Sequence, residues 1–114
     1  MTISMPRGDL RIVSFTLKDA DGHVPAATIT EIYWTVKKTF NNREFLLQKR
    51  LSDGGIENMG EGTYQFIIEP SDTDHMTYGQ YVFDLEFVGP EIKETHVGEF
   101  VLTNEVTHAN NEGA

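Results

Sequence analysis

The sequence contains no cysteine. Disulfide staples and thiolate metal sites are thereby excluded, and the usual mark of a small secreted domain is missing. Positive charge is scarce: nine Lys and Arg stand against eighteen Asp and Glu, a formal charge of −9. Such a balance opposes attraction to phosphate backbones and to anionic lipid, so nucleic acid and membrane surfaces are not expected partners. Long apolar runs are also wanting. The opening residues, Met1-Thr2-Ile3-Ser4-Met5-Pro6-Arg7, hold no stretch of signal-peptide length, and no window approaches the roughly 20 apolar residues of a membrane span. A soluble chain with no export signal or transmembrane segment is expected. There is no internal repeat, and no convincing amphipathic helix interrupts the chain.

What the sequence does have is alternation. At 114 residues it is one domain, able to bury roughly two thirds of its unfolded surface. Tyr81, Phe83, Leu85 and Phe87 fall on alternate positions, with Asp84 and Glu86 between them. Side chains in a strand alternate between two faces, so this run predicts a strand with one buried side. Val13, Phe15 and Leu17 make a similar row that stops at Asp19-Ala20-Asp21-Gly22. Ile32, Trp34 and Val36 make the next, with the only tryptophan of the chain placed in the core. Phe45 to Leu51 reads as an edge strand, Ile56 to Met59 as a short strand, and Tyr64, Phe66 and Ile68 as another inward row. A corner at Glu69-Pro70-Ser71-Asp72-Thr73-Asp74, holding one helical turn through His75 and Met76, leads to Gly79 and Tyr81. A tyrosine at that place resembles the tyrosine corner of immunoglobulin-like domains.

The last strand runs from about Ile92 to Thr103. Glu94 and His96 share the inward parity of Gly98, Phe100 and Leu102, which predicts an exposed or bulged first half. About seven strands with turn chemistry between them favour an all-β, antiparallel, immunoglobulin-like sandwich with at most one short helical turn. The expected domain covers residues 1–103, and residues 104–114 are expected to form a flexible tail. Phe15, Trp34 and Phe83 are expected where immunoglobulin domains put cysteine, tryptophan and cysteine.

The charges are unevenly placed. Lys37, Lys38, Arg43, Lys49 and Arg50 lie within fourteen residues, whereas thirteen carboxylates and only Lys93 follow Leu51. One hairpin is therefore basic on an acidic body. These five residues are either a solvated edge that discourages strand aggregation or the candidate interaction site for an acidic partner surface, including another copy of the chain.

Chemistry is harder to find. His23, His75, His96 and His108 are far apart and form no spaced pair, so no metal site is expected. Asp19-x-Asp21-Gly22 shares only the start of a calcium loop and reads as a turn. Glu57, Glu61, Glu69, Asp72 and Asp74 could pair for glycoside chemistry, but such pairs are common by chance in so acidic a chain. There is no nucleophile elbow or phosphate loop. No catalytic residue and no cofactor is expected, and the chain is not expected to be an enzyme. Arg7-Gly8-Asp9 matches an integrin-type tripeptide and reads more simply as a turn. Tyr33, Tyr78 and Phe40 are candidate exposed aromatics for stacking on a sugar or another protein.

Pro6-Arg7-Gly8-Asp9, the turn Asp19-x-Asp21-Gly22, the strand Glu31-Ile32-Tyr33-Trp34-Thr35-Val36-Lys37-Lys38 and the final strand Ile92 to Thr103 carry one further signal. Over about Met5 to Thr103 the chain resembles the immunoglobulin-like N-terminal domain of phage baseplate upper proteins and related small phage and prophage structural proteins. The resemblance implies a non-catalytic virion component, made in the bacterial cytoplasm, that packs against other phage structural proteins or itself. Baseplate upper proteins usually continue past this domain, so the resemblance implies the module alone. The alternative is a carbohydrate- or cell-surface-binding sandwich, because the fold does not fix the function.

Overall fold

The computed structural model describes residues 1–25 and 28–104. Along these residues run β1 (Thr2–Pro6), β2 (Arg11–Thr16), β3 (Glu31–Lys37), β4 (Leu47–Arg50), β5 (Ile56–Gly60), β6 (Thr63–Ile68), α1 (Pro70–Thr73), β7 (Gly79–Gly89) and β8 (Ile92–Thr103). The strands form two sheets, one ordered β1-β8-β7-β3-β4 and the other β2-β6-β5. This is an all-β sandwich with one helical turn, as the alternating rows predict. The expected tail beyond Asn104 lies outside the described residues.

Two expectations need correction. The sandwich is not antiparallel throughout, because β1 runs parallel to β8 with Thr2 opposite Glu99 and Pro6 opposite Thr103. The alternation Ile3, Met5 seats two side chains in the core at 3% and 2% exposure, but a row of two before a proline looks like a terminus rather than a strand. The edge strand expected from Phe45 to Leu51 is shorter, Leu47–Arg50, and leaves Phe45 and Leu46 outside the core.

Both sheets turn their apolar rows inward. Ile32, Trp34 and Val36 from β3, Tyr81, Phe83, Leu85 and Phe87 from β7, and Tyr64, Phe66 and Ile68 from β6 are all buried. The Trp34 ring lies 4.5 Å from that of Phe66, 5.9 Å from Phe83 and 5.6 Å from Phe100. Such aromatic contacts stabilise by about 0.5–1.5 kcal/mol each beyond the area they bury. Phe15 packs on Tyr64 and Phe87, both at 5.8 Å, and on Phe66 at 6.2 Å, so it is Phe66 rather than Phe15 that brings a ring of the smaller sheet onto Trp34. Gly98 is needed for the join between β1 and β8: a Cβ there would collide with the Met1 carbonyl oxygen and come within 2.6 Å of the Phe83 ring.

The corner before β7 is pinned by side chains. Asp72 Oδ2 accepts a hydrogen bond from the Glu69 N–H at 2.8 Å, satisfying a donor at the start of α1. Met76 drops into the core. The Tyr81 hydroxyl donates to the Thr77 carbonyl at 2.7 Å, which completes the tyrosine corner. No helix among the described residues is long and apolar enough to cross a membrane.

Candidate protein-interaction surface

The outer face of the larger sheet is polar where β3, β4 and β7 meet. Register places Tyr33 between Arg50 and Glu86, and Thr35 between Gln48 and Asp84. Gln48 Nε2 donates to Thr35 Oγ1 at 3.0 Å. Beside this face stands the loop 38–46. Its polar residues bond to one another: Asn42 Oδ1 accepts from the Thr39 N–H at 3.0 Å and from Thr39 Oγ1 at 2.7 Å. Its apolar residues are left outside, with Phe40 55%, Phe45 53% and Leu46 44% exposed. A shallow basin of about 340 Å³ lies between loop and sheet, with Tyr33, Lys37, Arg43, Phe45 and Asp84 in its wall.

Charge in this region is largely paired within the chain. Burial pushes the Asp84 carboxyl above its ordinary value, Glu86 adds to the rise, and Lys37 works against it. Burial also acts to raise Glu31. Hydrogen bonds from the hydroxyl and N–H of Ser52 and from the Ile32 N–H, together with the charge of Arg50, outweigh it and hold the carboxyl below its ordinary range. Hydrogen bonds to the charged form favour that form.

The five basic residues do not form one continuous patch. Lys49 points away from the outer face and binds Asp72 of α1 at 2.8 Å, with both side chains mostly covered. Arg50 reaches Glu31 at 3.5 Å and lies over the Tyr33 ring at 5.0 Å. Lys38 sits over the Tyr81 ring at 4.7 Å. Lys37 and Arg43 are brought together at the basin. The three apolar side chains around Arg43 were only partly legible, through Phe40. The signal for the others is the run Phe45-Leu46-Leu47, where consecutive apolar residues break the alternation.

Several of the remaining candidates make contacts within the chain. Arg7 donates to the Met76 carbonyl at 3.3 Å and lies over the Tyr78 ring at 4.3 Å, while the Gly8 N–H donates to Thr73 Oγ1 at 2.9 Å. The Arg7-Gly8-Asp9 turn thus ties the end of β1 to α1. Asp19 Oδ1 accepts from the N–H groups of Asp21 at 2.9 Å and His23 at 3.0 Å, closing a turn. Asp19, Asp21 and His23 are the group of possible metal ligands that the described residues bring together, all exposed. His75 lies 3.6 Å from Asp74, and His96 bonds Glu94 at 2.7 Å. His108 lies outside the described residues. Of the five carboxylates considered for glycoside chemistry, Asp72 is engaged by Lys49 and the Glu69 backbone.

No protein-family model and no curated protein matches the sequence. Among solved structures, the chain is similar to the X-ray structure of the endo-β-1,4-mannanase from Thermotoga petrophila, with a TM-score of 0.59 and 16% identity. The match covers 90% of this chain and 18% of the mannanase chain. At that identity the likeness concerns the fold.

Proposed function

We propose that this chain is a non-catalytic assembly module of a bacteriophage or prophage particle, a tail or baseplate component that acts through protein–protein contacts. The observation that carries the reading is the exposure of Phe40, Phe45 and Leu46 on one short loop, with Arg43 between them in sequence. Aromatic residues and arginine are enriched at protein interfaces, and a few such anchors supply most of the binding energy. The loop is fastened by the Thr39–Asn42 bonds, so it offers these side chains with part of the ordering cost already met. Arg43 adds positive charge beside them, which suits an acidic partner surface. The resemblance to the immunoglobulin-like domain of baseplate upper proteins supplies the particle.

The test is the composition of particles purified from the bacterium that carries this sequence. Mass spectrometry of density-purified particles is expected to find the chain in fixed proportion to the major tail protein. Its absence from intact particles would refute the assignment.

A second reading, a carbohydrate-binding module, is favoured by one observation. Tyr33 and Phe45 both line a basin that also holds the polar groups of Gln48, Asp84 and Glu86, a combination that can stack on and hydrogen-bond a sugar. The mannanase likeness adds mannan-type oligosaccharides to the ligands to try. Saturable binding on a glycan array that is lost in Tyr33→Ala would favour this reading over the first.

A further inference from the structure

The edge of the larger sheet is only partly covered. β1 pairs with Glu99 to Thr103 of β8, and Met1 lies beside Gly98. Among the described residues, the stretch of β8 before Gly98 therefore has β7 on one side and no strand on the other. The Glu99 N–H donates to the Met1 carbonyl at 3.1 Å and the Thr103 carbonyl accepts from the Arg7 N–H, so odd-numbered residues of β8 aim their backbone groups away from β7. The register with β7 is unbroken back to Ile92. Lys93 and Thr95 thus turn both N–H and C=O outward along the open edge.

The same edge overhangs a cleft of about 570 Å³ between the two sheets, lined by Phe15, Leu17, Leu85 and Phe87. Free backbone groups that repeat every second strand residue, about 7 Å apart, above an apolar cleft match one kind of ligand, an extended chain with apolar side chains at alternate positions. We infer that this edge takes a five-residue extended segment of a partner protein, antiparallel to β8 and opposite Ile92 to His96.

In that register the second and fourth residues of the segment face Thr95 and Lys93 and exchange four backbone hydrogen bonds with them. Its first, third and fifth residues turn inward with His96, Glu94 and Ile92, so apolar side chains there reach the cleft. A segment that stops opposite His96 leaves Met1 in place. A second β8 edge is too long for this gap, since its residues would run into the positions held by Met1 and Thr2, and a partner of different sequence is required. Inward charges commonly guard an edge. Here Glu94 and His96 bond each other at 2.7 Å, so a strand laid over them leaves neither without a partner. The charge of Glu94 excludes acidic residues from the inward positions of the segment. Lys93, exposed on the outer face and 4.0 Å from Glu86, favours an acidic residue at its fourth position. The pattern taken is therefore apolar, polar, apolar, acidic, apolar, with affinity from backbone bonds and specificity from alternate side chains. The site is separate from the loop 38–46 and stands whether or not the particle reading holds.

Titration of the full chain with the capped pentapeptide Val-Thr-Val-Glu-Val, followed by amide NMR, tests it. In the free chain the Lys93 and Thr95 amides should exchange readily, while those of Glu94 and His96, which face β7, are protected. The peptide should bind saturably and slow exchange at Lys93 and Thr95 roughly tenfold or more. N-methylation of its threonine and glutamate deletes both N–H donors to β8 and should weaken binding roughly tenfold. Lysine in place of its glutamate should weaken binding by a smaller factor. Phe40→Ser with Phe45→Ser should leave binding unchanged. The proposal is overturned by an absence of saturable binding, or by protection along β4 or β5 in place of β8. An N-methylated peptide that binds equally well would overturn it too, by marking the cleft as a site for apolar molecules without strand pairing. Self-association that protects the same two amides in the absence of peptide would make a second copy the occupant and overturn the assignment to a partner protein.

Discussion

The Tyr81 hydroxyl donates to the Thr77 carbonyl at 2.7 Å and lies 3.0 Å from Thr77 Oγ1. A side chain at the head of β7 is thereby tied to the corner that delivers the chain into that strand. Tyr81→Phe keeps the buried ring and deletes the bond. The expected loss is about 1 kcal/mol, measured as a fall in the urea midpoint with an unchanged slope.

Trp34 holds three rings around it, and its indole N–H is buried with no hydrogen-bond partner among the described residues. Trp34→Ala should cost about 3 to 5 kcal/mol, a large share of a domain's stability. Trp34→Phe should cost clearly less, since it also removes the unpaired donor. Equal losses in the two variants, read by urea unfolding, would show that ring packing does not dominate at this site.

Gly98→Ala should destabilise by about 1–3 kcal/mol through overpacking, because the new methyl group meets the Met1 carbonyl and the Phe83 ring. Faster hydrogen exchange at Glu99, whose N–H bonds Met1, should accompany the loss and locate it at the β1–β8 join.

Glu31 and Asp84 should bend the pH dependence of stability in opposite directions. The Glu31 pKa is lowered from 4.5 on folding, so its stabilising contribution is complete above that value and is lost as the pH falls through the lower native one. The Asp84 pKa is raised from 3.8, so its contribution is complete below that value and is lost as the pH rises through the higher native one. Unfolding midpoints across the acid range should therefore show Glu31→Gln losing stability mainly at neutral pH. Asp84→Asn should gain there instead. The same sign in both variants would contradict the assigned causes.

Much of the fold was legible because alternation reports burial directly. Rows such as Tyr81 to Phe87 and Ile32 to Val36 predict inward faces that are buried in the structure, and the mixed parity of Glu94 and His96 marks the open half of β8. The parallel strand β1 was not legible, since Ile3 and Met5 make too short a row and their partner lies far along the chain, at Phe100 and Leu102. The candidate surface was less legible still. Charge clustering in sequence points to five basic residues, yet strand parity turns Lys49 inward to Asp72 and pairing ties Arg50 to Glu31. Sequence proximity says nothing about which face a charge occupies until the register is known.

The most direct measurement is the incorporation of this chain into particles when the loop 38–46 is altered. With Phe40→Ser, Arg43→Glu and Phe45→Ser combined, the folded chain should be depleted from purified particles at least tenfold relative to the parent, which in equilibrium terms is roughly 1.4 kcal/mol, with its unfolding midpoint unchanged. Equal amounts of altered and parent chain in the particles would contradict the reading of this loop as the contact surface.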